Sequence, residues 1–285
     1  MDTSLPAFLA SDLPPVGPAQ ARFEIIPVPL EHSVSYGQGT AAGPEALLAA
    51  SQQLEVYDGA GEPGLAGIYT GPEVACAAAT PLVLQRIAAR VAAALAGGRL
   101  PVVLGGEHTV TLGAVQALVA RGAAFGVVQF DAHADLRASY EGNPLSHACV
   151  MRRVVELGVP LFQLGVRSLS KEEAIFRQQQ ALGHCDAAEL LRGPAPLLQL
   201  PPDFPRAIYL TFDLDAFDPA MLPGTGTPVP GGLFWYDALR LIDTVLAGRT
   251  LIGFDVTELA PIPGSRVSEF TAAKLVYYLM SAALR

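Results

Sequence analysis

The feature that most limits how this chain can fold is a set of short apolar runs that stop abruptly at polar or acidic residues. They are Phe23 to Val28, Pro101 to Leu104, Gly126 to Phe130, Leu161 to Val166, Ala207 to Phe212 and Leu251 to Phe254. Runs this short, mostly rich in Val, Ile, Leu or Phe, suit strands buried on both faces. Helical patterns lie between and after them, over about 81–96, about 236–247 and from about 267 to the end. The first stops at Gly97-Gly98 and the second at Gly248, where glycine can end a helix in the left-handed conformation. Alternating strands and helices predict a parallel sheet with helices on both faces, an α/β fold. No repeat or low-complexity linker divides the 285 residues. One domain is therefore expected over 23–285, after an irregular Pro- and Ala-rich arm over 1–22. The Pro- and Leu-rich stretch from Pro194 to Pro205 is expected to be a surface connection.

Charged residues make up only 16% of the chain and mean hydropathy is +0.36, which raises the question of a membrane protein. No uninterrupted apolar run is long enough to span a bilayer: Gln85, Arg86 and Arg90 break one candidate and Lys274 the other. A buried parallel sheet accounts for the hydropathy instead. The net charge of −9 and pI near 5.0 argue against nucleic acid, which wants a basic face. They are compatible with a small cationic ligand. The N-terminus has neither a basic segment nor an apolar core of the signal-peptide kind, so a cytoplasmic protein is expected. Cys76, Cys149 and Cys185 form no CxxC pair and read as free thiols in a reducing compartment. Cys149 stands two residues after His147, but nothing else supports a thiol nucleophile.

Asp131, Asp213 and Asp255 each follow directly on an apolar run. Ligand sites in open parallel sheets lie at the carboxyl ends of the strands, so the three acids are expected to converge in one cleft. Three motifs carry the chemistry. In Gly105-Gly106-Glu107-His108, the glycines allow a sharp turn that presents His108; alone, such a histidine is more often an ordinary surface residue. In Asp131-Ala132-His133-Ala134-Asp135, ligand-type residues alternate with alanines, which keeps three side chains on one side of an extended segment. A hydrogen-bonded capping cluster is the plainer alternative, but unpaired buried carboxylates after an apolar strand are costly. In Asp213-Leu214-Asp215, two acids two apart repel unless a cation or proton sits between them; a solvated turn is the alternative. Asp218-Pro219 reads as turn chemistry. Two histidines with four aspartates suit manganese or a similar hard divalent ion better than structural zinc. Six ligands exceed what one ion with open positions can use, whereas two ions would balance four aspartate charges. Such a pair can lower the pKa of a bridging water toward 7.

The phrases GGEH, DAHAD and DLDAFDP resemble, in order and spacing, the three metal signatures of the arginase–agmatinase (ureohydrolase) family. Thr211 stands where that family usually has Ser, a departure that keeps the hydroxyl. The segments Ser35 to Thr40, Gly43-Pro44, Gly224 to Pro228 and Asp255 to Pro261 resemble further family segments, so the likeness covers roughly 23–285. It implies a three-layer α/β/α domain with a mostly parallel eight-stranded sheet and two manganese ions per chain. One ion would be held by His108, Asp131, Asp135 and Asp213, the other by His133, Asp131, Asp213 and Asp215, with Asp131 and Asp213 bridging. Glu258 matches the family's guanidinium-binding glutamate and His147 its proton-shuttle histidine. Without the resemblance His147 would more often be an ordinary loop histidine and Glu258 as readily a surface glutamate, and His32 and His184 have no role. The family usually assembles as trimers or hexamers, so a homotrimer or homohexamer is expected.

The resemblance also bears on substrate. The loop Leu136 to Ser146 is unlike the Thr/Ser/Asn-rich loop with which arginases read the amino-acid end of arginine, and is similar to the agmatinase branch. A small cationic guanidino substrate is implied: agmatine, giving putrescine and urea in polyamine biosynthesis. N1-aminopropylagmatine, giving spermidine, is the near alternative. Arginase, guanidinobutyrase and formiminoglutamase activities remain open. Glu141 could face a distal ammonium or be a plain surface acid. One-zinc deacetylase-type enzymes use fewer ligands, and a non-catalytic relic would have lost some of these positions.

Overall fold

In the computed structural model, residues 5–192 and 198–285 are described. The chain runs β1 (Phe23–Val28), α1 (Gly43–Ser51), β2 (Ile68–Thr70), α2 (Thr80–Ala96), β3 (Leu100–Gly105), α3 (Val110–Ala120), β4 (Gly126–Phe130) and α4 (Val150–Glu156). It continues through β5 (Leu161–Leu164), α5 (Lys171–Gln179), β6 (Gly183–Cys185), α6 (Ala187–Leu191), β7 (Ala207–Asp213), α7 (Trp235–Leu246), β8 (Thr250–Thr257) and α8 (Val267–Ala282). The six apolar runs form β1, β3, β4, β5, β7 and β8, whose residues are nearly all buried. A single eight-stranded sheet has the order β2-β1-β3-β8-β7-β4-β5-β6. Every pairing is parallel, which sharpens the expected "mostly parallel" sheet.

The two remaining strands, β2 and β6, carry no apolar run. They are three residues each at the sheet edges, where one neighbour is missing and burial is partial. Helix α3 showed no stripe in the sequence because it is apolar almost all round and buried, so it has no polar face to set a period. Two apolar layers flank the sheet: α1, α7 and α8 supply one, α2, α3 and α4 the other. The single charge inside β1, Glu24, is buried against Arg90 at 3.2 Å and Arg99 at 2.7 Å.

Residues 5–22 form no helix or strand but are strapped down. Phe8 and Leu9 are buried, and their N–H groups donate to Thr70 Oγ1 and Ser51 Oγ at 2.9 and 3.0 Å. Of the connection expected at the surface, residues 194–197 lie outside those described. The rest corrects the expectation: Leu200 and Phe204 are buried, with Phe204 edge-on to Phe162. No helix among the described residues is long and apolar enough to cross a membrane.

The strand order positions the site. After β3 the chain skips two positions to β4, and only later returns through β7 and β8 to fill the gap. The carboxyl ends of β3, β8, β7 and β4 therefore lie side by side where the order reverses, the usual place for a ligand crevice. Those four ends carry GGEH, DVTE, DLD and DAHAD.

Candidate metal centre

After β3 the chain turns tightly: Gly106 N–H donates to Val28 O at 2.8 Å, and a Cβ at Gly106 would collide with the Leu30 carbonyl. The turn seats His108 fully buried below the strand ends. Its Nδ1 lies 3.1 Å from Asp131 Oδ2, 3.0 Å from Asp135 Oδ2 and 3.4 Å from Asp213 Oδ2. None of these contacts has hydrogen-bond geometry, so Nδ1 is a buried polar atom without a partner. His133 Nδ1 lies 2.9 Å from Asp215 Oδ2 and 3.6 Å from Asp131 Oδ1. Two donor groups result, His108–Asp131–Asp213 and Asp131–His133–Asp215, each with its ligand atoms within 4.8 Å of one another. Asp131 belongs to both and turns one oxygen to each. Asp135 joins the first through His108.

Electrostatics explains why such a group wants cations. Burial, with Asp215 and Asp131 beside it, pushes the Asp213 carboxyl well above the ordinary range. Burial and Asp131 raise Asp135 to about 7. Burial alone would lower His133, but its contacts with Asp131 and Asp215 raise it to about 11. Left to itself the cluster must hold protons to limit carboxylate repulsion. Two divalent ions would displace them and offset four negative charges. An oxygen-rich set with two imidazoles suits hard or borderline divalent ions, so the residues fit the group.

The surroundings fix these donors. His108 Nε2 is 2.8 Å from Thr211 Oγ1, and Thr211 donates to Asp255 Oδ1 at 2.6 Å. With its hydroxyl proton committed to Asp255, Thr211 accepts from Nε2–H, which leaves Nδ1 as the nitrogen that would offer its lone pair to a cation among the carboxylates. Asp255 also accepts from Tyr209 and Thr111. This corrects the expectation that Asp255 shares the cleft. It pairs in register with Thr211, two residues below Asp213, so its carboxylate is buried beneath the site.

Three contributors carry signals that the motifs do not. Gln129 interrupts an apolar strand and donates to Asp131 Oδ2 at 2.6 Å. Gln163 interrupts another and donates to Gln129. Arg167, just past β5, donates from Nη2 to the carbonyls of Asp215 and Phe217, latching the third motif in place.

Above the donors opens a cleft of about 310 Å³, lined among others by His133, Asp213, Asp215, His147 and Glu258. Glu258 is an L-residue in left-handed backbone, φ +66°, a conformation that costs about 1–3 kcal/mol and gathers at functional sites. Its N–H donates to Gly106 O, and its Oε1 accepts from His108 N–H at 2.6 Å. Burial, with Glu107 and Asp215 near, pushes its carboxyl well up. His147 is half-buried, and burial lowers its pKa. Glu141 is exposed and does not line this cleft. Asp218 accepts from the N–H groups of Ala220, Gly231 and Gly232, as turn chemistry expects. His32 and His184 are exposed and outside the cleft. Burial raises the Cys149 thiol to about 11, which makes it a poor nucleophile.

A family model described as the Arginase family matches residues 21–282. An N(1)-aminopropylagmatine ureohydrolase of Synechocystis sp. is 40% identical, over 92% of this chain and 89% of the relative. One of Thermococcus kodakarensis is 36% identical, over 96% and 95%. The crystal structure of the agmatine ureohydrolase of Thermoplasma volcanium superposes with a TM-score of 0.85 at 27% identity, covering 99% of this chain and 96% of that one.

Proposed function

The chain belongs to the arginase family, and on that premise we propose a two-manganese hydrolase that splits the guanidino group of a cationic alkylguanidine and releases urea. The observation that carries this reading is the pair of donor groups sharing Asp131, set below a cleft that also holds Glu258.

One ion is assigned to His108, Asp131, Asp135 and Asp213, the other to His133, Asp131, Asp213 and Asp215. When bound, the metals supply water of lowered pKa near neutral pH. Thr211→Val should remove the acceptor that fixes the His108 ring and leave Asp255 short of a donor. Losing such an outer partner typically weakens metal affinity roughly 10–100-fold. Manganese titration followed by calorimetry would detect it, and unchanged affinity would release Thr211 from this role.

A guanidinium is planar and cationic at any ordinary pH. Glu258 has one oxygen tied to His108 N–H; a bound guanidinium cation would offset the burial that pushes its carboxyl up, keep it ionised and pair with the other oxygen. That grip would fix the plane and direction of the guanidinium in the cleft above the metal-binding residues. Glu258→Gln keeps the size and removes the charge. It should cost about 1.5–3 kcal/mol in kcat/KM, the worth of a charge-assisted hydrogen bond in a closed site. Metal content should not change; loss of metal would make Glu258 a ligand or its support. As water adds to the carbon and the C–N bond breaks, the amine needs a proton. His147, kept neutral near pH 7 by burial, takes one up and delivers it to the leaving nitrogen.

For the tail of the substrate, the loop Leu136 to Ser146 favours agmatine, hydrolysed to putrescine and urea. A second reading, N1-aminopropylagmatine giving spermidine, is favoured by what the Synechocystis and Thermococcus relatives are named for. Urea release from agmatine, N1-aminopropylagmatine, arginine and guanidinobutyrate, with formamide release from formiminoglutamate, separates them. The two amine-tailed substrates should show the highest kcat/KM. A preference for arginine or either other acid would overturn the cationic-tail reading.

A further inference from the structure

Glu107 and Ser33 remain without a function in this scheme, although Ser33 meets His147 and Glu107 meets Ser33. Glu107 is fully buried. Its Oε2 accepts the N–H groups of His32 and Ser33, each at 2.6 Å, and its Oε1 accepts the Ser33 hydroxyl at 2.9 Å. That places the only proton of Ser33 Oγ on the carboxylate. Toward His147 the same oxygen can therefore only accept. It takes the His147 backbone N–H at 3.0 Å and lies 3.3 Å from Nδ1.

We propose that Ser33, oriented by Glu107, is a positioning residue for the proton carrier: it accepts from His147 Nδ1–H and so fixes the ring's tautomer and direction. The consequence is chemical. With Nδ1 protonated and turned away, Nε2 keeps the lone pair, and one nitrogen alone takes up and delivers the proton. The buried carboxylate behind the hydroxyl holds Ser33 Oγ in its accepting orientation. Ser146 Oγ, 3.4 Å from Nδ1, is the competing contact. If Ser146 donated there, it would favour the opposite tautomer.

The inference rests on His147 as proton carrier, and the experiment separates the two. Ser33→Ala, Ser33→Thr, Ser146→Ala, His147→Asn and the double variant Ser33→Ala/His147→Asn are compared for kcat, KM and bound metal. Ser33→Ala should lower kcat roughly 10–100-fold, the scale for losing a histidine's outer partner, with KM and metal content unchanged. Ser33→Thr, which keeps the hydroxyl, should restore most of kcat, and Ser146→Ala should leave it intact. On the His147→Asn background, Ser33→Ala should add little, because both act through one proton path. If His147→Asn slows turnover while Ser33→Ala does not, the positioning role is wrong and the carrier reading stands. Losses that multiply in the double variant, or loss of metal in Ser33→Ala, also overturn it. Wild-type turnover in His147→Asn would remove the carrier and this inference with it.

Discussion

Asp131→Ala should lower urea release by at least roughly 10³-fold, the largest effect of any single substitution in the site. Asp131 is the one residue common to both donor groups, with Oδ2 toward His108 and Oδ1 toward His133. Asp213 is assigned to both ions as well, but its ligand atoms gather only with the His108 group. Metal ions supply several kcal/mol to such reactions, and about 4 kcal/mol corresponds to 10³ in rate. Bound manganese should fall below one per chain. Folding should suffer less. The change removes hydrogen bonds from His133 N–H and Gln129 Nε2, but also one charge from a crowded group. Melting without metal should therefore shift little, while the stabilisation that manganese gives the wild type should vanish. A variant that still binds two ions would show that Asp131 is not a shared ligand.

His147→Asn should leave metal binding nearly intact and slow turnover by roughly 10²-fold or more, the usual scale for a positioned acid–base group. The pH profile gives a second readout, whose sign follows from burial. Burial lowers His147 below the ordinary histidine value, so the ring is neutral and able to accept a proton above that lowered pKa. As pH falls through it the ring becomes charged, and turnover should fall with it. The acid limb of kcat/KM should thus have its midpoint below the ordinary histidine range, and His147→Asn should abolish that limb. A variant with wild-type turnover would pass the role to another residue or to water.

How much of this was legible in the sequence depends on whether the cause is local. The strands with two neighbours must be apolar on both faces, so β1, β3, β4, β5, β7 and β8 announce themselves. Edge strands such as Gly183–Cys185 need not, and helix α3 hides its period because it is buried all round. The metal-type residues were readable for a similar reason. Asp131, His133 and Asp135 follow one strand end closely, and Asp213 ends β7 with Asp215 in the 3-10 turn directly after it, so nearness in sequence already gathers them. Asp255 looked equivalent by the same rule, yet β8 runs on to Thr257 and leaves it one pleat too low. Gln129 and Gln163 could have been flagged as polar residues inside apolar runs. The Ser33–Glu107 contact spans 74 residues and depends on the β1–β3 pairing, which no local pattern shows.

The most direct test of the two-metal account is a titration of metal-free protein with manganese, following urea release from agmatine and N1-aminopropylagmatine. Activity should rise until two ions are bound per chain and then level off. Full activity at one ion per chain, or no urea from either substrate at any manganese loading, would contradict it.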